Sequence, residues 1–184
     1  MKRAIEPGDT EMLRALGFAA ALAMAAPFAA QAQAPKINDA QIAHIAYTAG
    51  VLDVAAGKQA LAKSKDKAVR DFAAEMVRDH TAVNDQALAL VKKLGVTPQD
   101  NPTSQALKKD ADAKLKTYAA LNGAAFDKAY VANEVAYHRT VNGALANTLI
   151  PNAQNAELKG LLQTGLKLFA EHQMHAEHLA AAHH

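Results

Sequence analysis

The sequence predicts an all-α fold: a bundle of four long helices with one long crossover carrying a short extra helix. Three observations point there. Alanine-rich runs dominate a chain of 184 residues that has only 9 glycines and 6 prolines, which favours helix over sheet. Apolar residues recur at steps of three and four over long stretches, the period of a helix with one buried face. The strongest breakers (Gly95 with Pro98, Asn122-Gly123, and Pro151-Asn152) fall between those stretches.

Residues 1–34 read as an address rather than as part of the fold. From Met12 the chain runs MLRALGFAAALAMAAPFAAQAQA. Arg14 supplies the positive start, Ala15 to Phe28 the apolar run, and Ala32-Gln33-Ala34 the small-x-small pattern of a signal-peptidase site. A membrane-spanning helix needs about 20 apolar residues, more than this run offers. The expectation is a cleaved secretory signal, a mature chain starting near Pro35, and a periplasmic or secreted protein. Before Met12, Glu6, Asp9 and Glu11 offset Lys2 and Arg3, a poor start for a signal, so translation is expected to begin at Met12. Residues 35–184 then form a single helical-bundle domain.

In that domain Asn38 or Asp39 caps a first helix that runs to Lys63. Ser64 or Asp66 caps a second, which ends at Leu94 with Gly95 in the usual left-handed position and Pro98 just beyond. Residues 96–103 form the clearest loop. Thr103 or Ser104 starts a shorter helix to Leu121, stopped by Asn122-Gly123. A fourth runs from Ala124 to Ile150 and is closed by Pro151-Asn152, and a last one begins near Ala153. The four long helices have about 26–30 residues each, roughly 40 Å at 1.5 Å per residue. Tight joins make the first and last pairs antiparallel hairpins. The long connection from Gly95 to Gly123 can cross the full length, leaving the second and fourth helices parallel. That is the one-crossover connectivity of ferritin-like bundles.

Composition removes several functions. With 20 Lys+Arg against 18 Asp+Glu, a net charge of +2, there is no electrostatic footprint for nucleic acid or an anionic membrane. The absence of cysteine excludes disulfides, thiolate nucleophiles and thiolate metal sites. No Ser-His-Asp arrangement or phosphate-cradling glycine loop is visible, and nothing after the signal is apolar enough to span a membrane.

What remains is a set of ionisable residues on apolar arcs. The second helix buries Val69, Ala73, Met76, Val83, Ala87, Leu90 and Leu94, with His80 in mid-series. Leu158, Leu161, Gly165, Leu168 and Leu179 define the last helix's stripe, and His172 falls on it. Glu134 and His138 lie one turn apart in the arc of Phe126, Tyr130, Tyr137, Val141, Leu145 and Leu149. Asp53 shares the small face of Ile42, Ile45, Ala46, Ala49, Ala56 and Ala60. His44 points the other way; Glu75, Glu171, Met174 and His178 fall outside their arcs, with Asp79 and His175 at the edges. Folding the hairpins places Asp53 level with Met76, and all five inward residues within roughly 10 Å along the axis. Three imidazoles and two carboxylates suit zinc, iron, manganese or copper. Asn84, Tyr130 and Tyr137 are candidate hydrogen-bond partners of those ligands. The competing expectation is a structural network in which the histidines and acids pair with each other. The chain has no Glu-x-x-His, the pair that marks di-iron carboxylate bundles, which argues against a standard di-iron oxidase. The tail EHQMHAEHLAAAHH reads either as a loose copper, nickel or zinc binder or as a solvated helix end.

The run FAAEMVRDHTAVNDQALALVKKLGVTP (Phe72 to Pro98), then AAFDKAY with His138 downstream, then Glu171-His172, resembles domain of unknown function family 4142. The similarity covers residues 38–181, and Met76-Val77-Arg78-Asp79-His80 is its most specific piece. The family comprises exported bacterial proteins, often labelled membrane or outer-membrane proteins and placed among ferritin-like folds. Its pattern carries His where this chain has His138 and His172. In the first helix members often have Glu, where this chain has Asp53. The resemblance implies fold and export, and supplies no activity. The functional expectation is an exported bundle that binds a transition metal through His80, His138, His172, Glu134 and Asp53. An envelope or stress-related interaction protein with a structural histidine core is the second reading, and an oxidase or peroxidase the third.

Overall fold

Among residues 37–182, four of the five main helices start where a short polar side chain accepts from unsatisfied backbone N–H groups; the helix preceded by Asn122 has no such side-chain cap. The computed structural model describes residues 37–182. The secretory signal, the Met12 start and the terminal His183-His184 lie outside the described residues. Among those described, the protein is all-helical.

Helix α1 (Asp39–Lys63) opens with a capping box. The Asn38 side chain accepts from the Gln41 N–H at 2.9 Å, and Gln41 Oε1 accepts from the Asn38 N–H at 3.1 Å. In α2 (Lys67–Leu94), Asp66 takes the capping role from the Val69 N–H, and Gly95 closes the helix at φ 63°. Helix α3 (Pro102–Ala119) starts earlier than expected: Asn101 caps it, and Pro102 takes the first position, where a missing N–H costs nothing.

Helix α4 (Gly123–Ala144) also departs from expectation. It continues into a π-helical segment (Leu145–Leu149) and a last turn (Ile150–Asn152), so Pro151 lies inside the helical run. Proline clashes with the carbonyl four residues back; the wider π turn relieves that crowding and keeps Leu145 and Leu149 both buried. Helix α5 (Ala156–Ala182) is capped by Asn155, whose Oδ1 accepts from the N–H groups of Glu157 and Leu158.

Hydrogen bonds fix the helix directions. The Gln99 N–H donates to Ala40 O, seating the loop after α2 at the base of α1. From there α3 climbs alongside α1. Ser104 meets His44, Gln59 donates to Leu115 O, and Lys63 donates to Ala119 O. Helix α4 then descends: the Tyr137 hydroxyl donates to Ala49 O, and the N–H groups of Gln154 and Asn155 donate to the Asp39 carboxylate at the base. Helices α2 and α4 therefore run parallel, as the long connection predicts. Helix α5 returns upward, pairing Glu157 with Lys93 near the base and His175 with Glu75 higher up.

The core falls into two apolar clusters. One holds Ala60, Val69, Phe72, Met76, Phe126 and Tyr130; the other holds Ile42, Val91, Leu145, Leu149, Leu162 and Phe169. The buried stripe of α5 is Leu158, Leu162, Gly165, Phe169, His172, Ala176 and Leu179. Leu162 and Phe169 thus replace the expected Leu161 and Leu168, which are half-buried. A one-residue rotation of a wheel moves that boundary by 100°. No described helix is long and apolar enough to cross a membrane.

Candidate metal centre

Between the two apolar clusters lies a band of buried ionisable side chains. Asp53 from α1, His80 from α2, Glu134 and His138 from α4, and His172 from α5 are each 3% exposed or less. All five sequence-predicted residues are brought together, and every long helix contributes at least one. The three imidazoles form a near-equilateral triangle, with ring centroids 5.7 Å (His80–His138), 5.3 Å (His80–His172) and 5.5 Å (His138–His172) apart. Asp53 meets His80 rather than the expected level of Met76, about one helical turn away.

The hydrogen bonds of two histidines define their tautomers. His138 Nδ1 lies 3.0 Å from Glu134 O. A carbonyl can only accept, so Nδ1 carries the proton and Nε2 presents a lone pair. That lone pair lies 3.4 Å from Asp53 Oδ2, another acceptor. Two acceptors at this distance call for a cation or a shared proton between them. His172 Nε2 donates to Asp79 Oδ2 at 3.1 Å, which leaves its Nδ1 buried without a partner. His80 Nε2 is 2.9 Å from Asp53 Oδ2, within ion-pair range, yet neither atom is aligned for a hydrogen bond. The His80 ring stacks on Phe169 at 4.5 Å and 12°, which fixes its orientation.

Eleven buried side-chain polar atoms lack a hydrogen-bond partner among the described residues, and seven of them belong to these five residues. Buried polar groups are normally satisfied, so such a concentration requires an explanation. Candidate ligand atoms of His80, His138 and His172 lie within 4.8 Å of one another, as do those of Asp53, Glu134 and His138. Three atoms each about 2.1 Å from one ion are about 3.4–3.6 Å apart in trigonal or tetrahedral geometry. Sharing one ion would therefore draw the widest pair of either group together by up to roughly an ångström.

Electrostatics prepares the same site. Burial, and then the Asp53 charge, hold the Glu134 carboxyl well above its ordinary range, so it is the protonated member of the carboxylate pair. Burial also pushes Asp53 up, but His80, His138 and His172 more than offset it, and its carboxyl titrates below the usual value. Burial lowers His138 to about 4 against the opposing pull of Asp53. It lowers His172 as well, although Asp79 works the other way. His138 and His172 are therefore neutral near pH 7, the form that ligates metal.

Access is from the carboxylate side. A cavity of about 120 Å³ under α3 is lined by Asp53, Glu134, Asn133, Asp110 and Lys114, among others. It connects the two buried acids with exposed charged residues of α3.

Sequence reasoning missed the rim. Asp79 and Glu75 were placed at or beyond the edge of the α2 arc, yet Asp79 holds His172 and Glu75 Oε2 lies 2.7 Å from His175 Nδ1. One arc per helix was too narrow, because α2 packs against both α1 and α5. The available signal was the matching pairs, Glu75/Asp79 and His172/His175, one turn apart on facing helices. The predicted partners fare differently. Tyr137 donates to Ala49 O rather than to one of the five site residues, the Tyr130 hydroxyl has no hydrogen-bond partner among the described residues, and Asn84 packs on Gly50, where a Cβ would lie 2.2 Å from its Oδ1. In the tail, Met174 is 61% exposed and His178 is exposed.

A family model described as Domain of unknown function (DUF4142) matches residues 23–179. The chain belongs to this family. No curated protein and no solved structure matches it. The Met76–His80 run that carried the DUF4142 resemblance has a structural reading: Met76 is core, Asp79 orients His172, and His80 faces Asp53. His138 and His172 are two corners of the imidazole triangle.

Proposed function

We propose that this chain is an exported transition-metal-binding protein with the ferritin-like four-helix arrangement, its residues 35–184 forming one domain once the signal of residues 1–34 is removed. Export to the periplasm rests on the layout of that signal. The ferritin-like reading is supported by the parallel α2 and α4 and by the crossover through α3. The ligands are His80, His138 and His172, with Glu134 and Asp53 completing a mononuclear or dinuclear centre for zinc, iron, manganese or copper.

One observation carries this reading: seven unpartnered buried donor and acceptor atoms on five residues converge from four helices. An ion satisfies them together. Asp79 and the Glu134 carbonyl play the orienting role that fixes the tautomer of a ligating histidine. A bound ion would supply Lewis acidity or redox chemistry at the imidazoles. The protein's own contribution is to hold neutral histidines, exclude water and keep the Glu134 proton available for release on binding.

The test is elemental analysis of untagged protein purified from the periplasm, trimmed to residues 35–182 to remove His183 and His184, beside a His80→Ala/His138→Ala variant. About one or two ions per chain, lost in the variant, are expected. Absence of metal from both proteins after reconstitution with all four metals overturns the reading and leaves a structural His/acid network.

A further inference from the structure

Beside the imidazole triangle the core is not filled. A cavity of about 170 Å³ lies among α1, α2, α4 and α5 with α3 at its edge, and shares Leu107, Tyr137 and Thr140 with the cavity beside the carboxylates. Its wall is almost wholly carbon, with Ile45, Val91, Leu149, Leu158 and Leu162 among the lining residues. Ala43, Ala49 and Ala87 contribute only a methyl group each to its wall. The π segment supplies Leu145 and Leu149 to the same wall, and such insertions in α-helices occur often at functional sites.

At one end the wall turns polar. His80 and Asn84, one turn apart on α2, and His138 line it there. His80 Nδ1 is buried without a hydrogen-bond partner among the described residues, while its Nε2 lies 2.9 Å from Asp53 Oδ2. Thr103 and Thr140, both exposed, also line the cavity and give it a route to solvent.

We infer that this cavity binds a small neutral molecule, apolar over most of its surface and bearing one hydroxyl that meets the His80–Asn84 end. The size argument is direct: an engineered apolar cavity of about 150 Å³ takes up benzene. A pocket of this volume therefore holds one ring or a short aliphatic chain of equal bulk. Apolar pockets with a few convergent polar groups are the usual form of small-molecule sites. The site stands on cavity shape and lining, and holds for the metal-free and the metal-loaded protein alike.

The experiment is a ¹⁹F NMR titration of the chelator-treated protein with 4-fluorophenol, and separately with fluorobenzene. Saturable binding of 4-fluorophenol with a dissociation constant of about 1 mM or below is expected for a ligand of this size, with fluorobenzene weaker. Filling the cavity with Ala87→Phe, or with Val83→Phe if the first does not fold, should cut affinity about tenfold or more, with helical content retained. No saturation, or equal binding by a folded filled variant, overturns the inference. Metal content measured on the same preparations before chelation separates the two readings. Probe binding without metal sinks only the metal centre, and metal without probe binding sinks only the cavity.

Discussion

Glu134→Gln is the sharpest probe of the site, because glutamine copies the shape of the protonated acid and cannot ionise. Glu134 is 1% exposed, its Oε1 has a 3.5 Å contact from Asn133 Nδ2, and its Oε2, 3.6 Å from His138 Nδ1, has no hydrogen-bond partner among the described residues. Burial and the neighbouring Asp53 raise its carboxyl well above the ordinary 4.5. A carboxyl with a raised folded value binds more protons folded than unfolded once pH passes 4.5. Its contribution to stability is present below that pH and is lost as pH climbs through the folded value. Metal-free wild type must then either keep a proton or bury an unpaired charge. Stranding a buried polar group costs about 1–3 kcal/mol, more when it is charged. The variant should therefore match wild type near about pH 5 and exceed it by about 1–3 kcal/mol near about pH 9. Metal affinity should move the opposite way, falling by about 100-fold or more, beyond the roughly 10–100-fold cost of losing an outer-shell partner. Urea unfolding of chelator-treated protein at both pH values, with competitive zinc titration, reads both effects. Parallel stability profiles together with unchanged zinc affinity would refute the assignment of Glu134 as a strained buried ligand.

Three further outcomes follow from the same geometry. Gly50→Ala places a Cβ 2.2 Å from Asn84 Oδ1 and 2.9 Å from its Cγ, an overpacking worth about 1–3 kcal/mol. In an Asn84→Ala background the clash is gone and the helix propensity of alanine should stabilise by about 1 kcal/mol, so thermal melts should show a reversal of sign. Asp79→Ala removes the acceptor that fixes the His172 tautomer and should weaken zinc binding about 10–100-fold; an unchanged affinity would exclude His172 as a ligand. His138, lowered by burial to about 4 from 6.5, binds fewer protons folded than unfolded between those values. Metal-free stability should therefore fall as pH drops from 6.5 towards 4, by up to about 1.4 kcal/mol per unit, and His138→Leu should flatten that slope in urea melts.

Much of this molecule is legible from local rules. Helix starts at Asn38 and Asp66 and the stop at Gly95 follow from side-chain capping and a left-handed glycine, which need no tertiary partner. The five inward residues were legible because a charge on an apolar arc is conspicuous. The misses share one cause: a single arc per helix cannot represent a helix with two neighbours. Asp79, Glu75 and Phe169 lie at contacts with a second helix, and only the packing of α2 on α5 shows what they touch. The π turn at Leu145–Leu149 was illegible for a different reason. It answers a steric conflict between Pro151 and a helix that tertiary contacts hold in place on both sides.

The choice between a metal centre and a structural network turns on where the deficits lie. A polar network retained for folding alone is expected to satisfy itself, since a half-satisfied one is worse than an apolar core. Nearby, Asp79 is held by Arg78 at 2.6 and 2.9 Å and Tyr137 by Ala49 O. Gln59, Asp127, Tyr130 and Asn142 each leave one buried atom without a partner among the described residues, while seven such atoms collect at one level, on Asp53, His80, Glu134, His138 and His172. Those are the side chains through which the long helices face each other. Hydrophobic burial on either side of that level holds the helices close enough for the deficits to persist. On the proposed reading such a site stores its cost until a cation arrives, and the cation would then couple α1, α2, α4 and α5 beyond the pairs that His80 and His138 already make with Asp53. That coupling would account for intact orienting contacts such as the Asp79–His172 hydrogen bond beside inward atoms that lack hydrogen-bond partners.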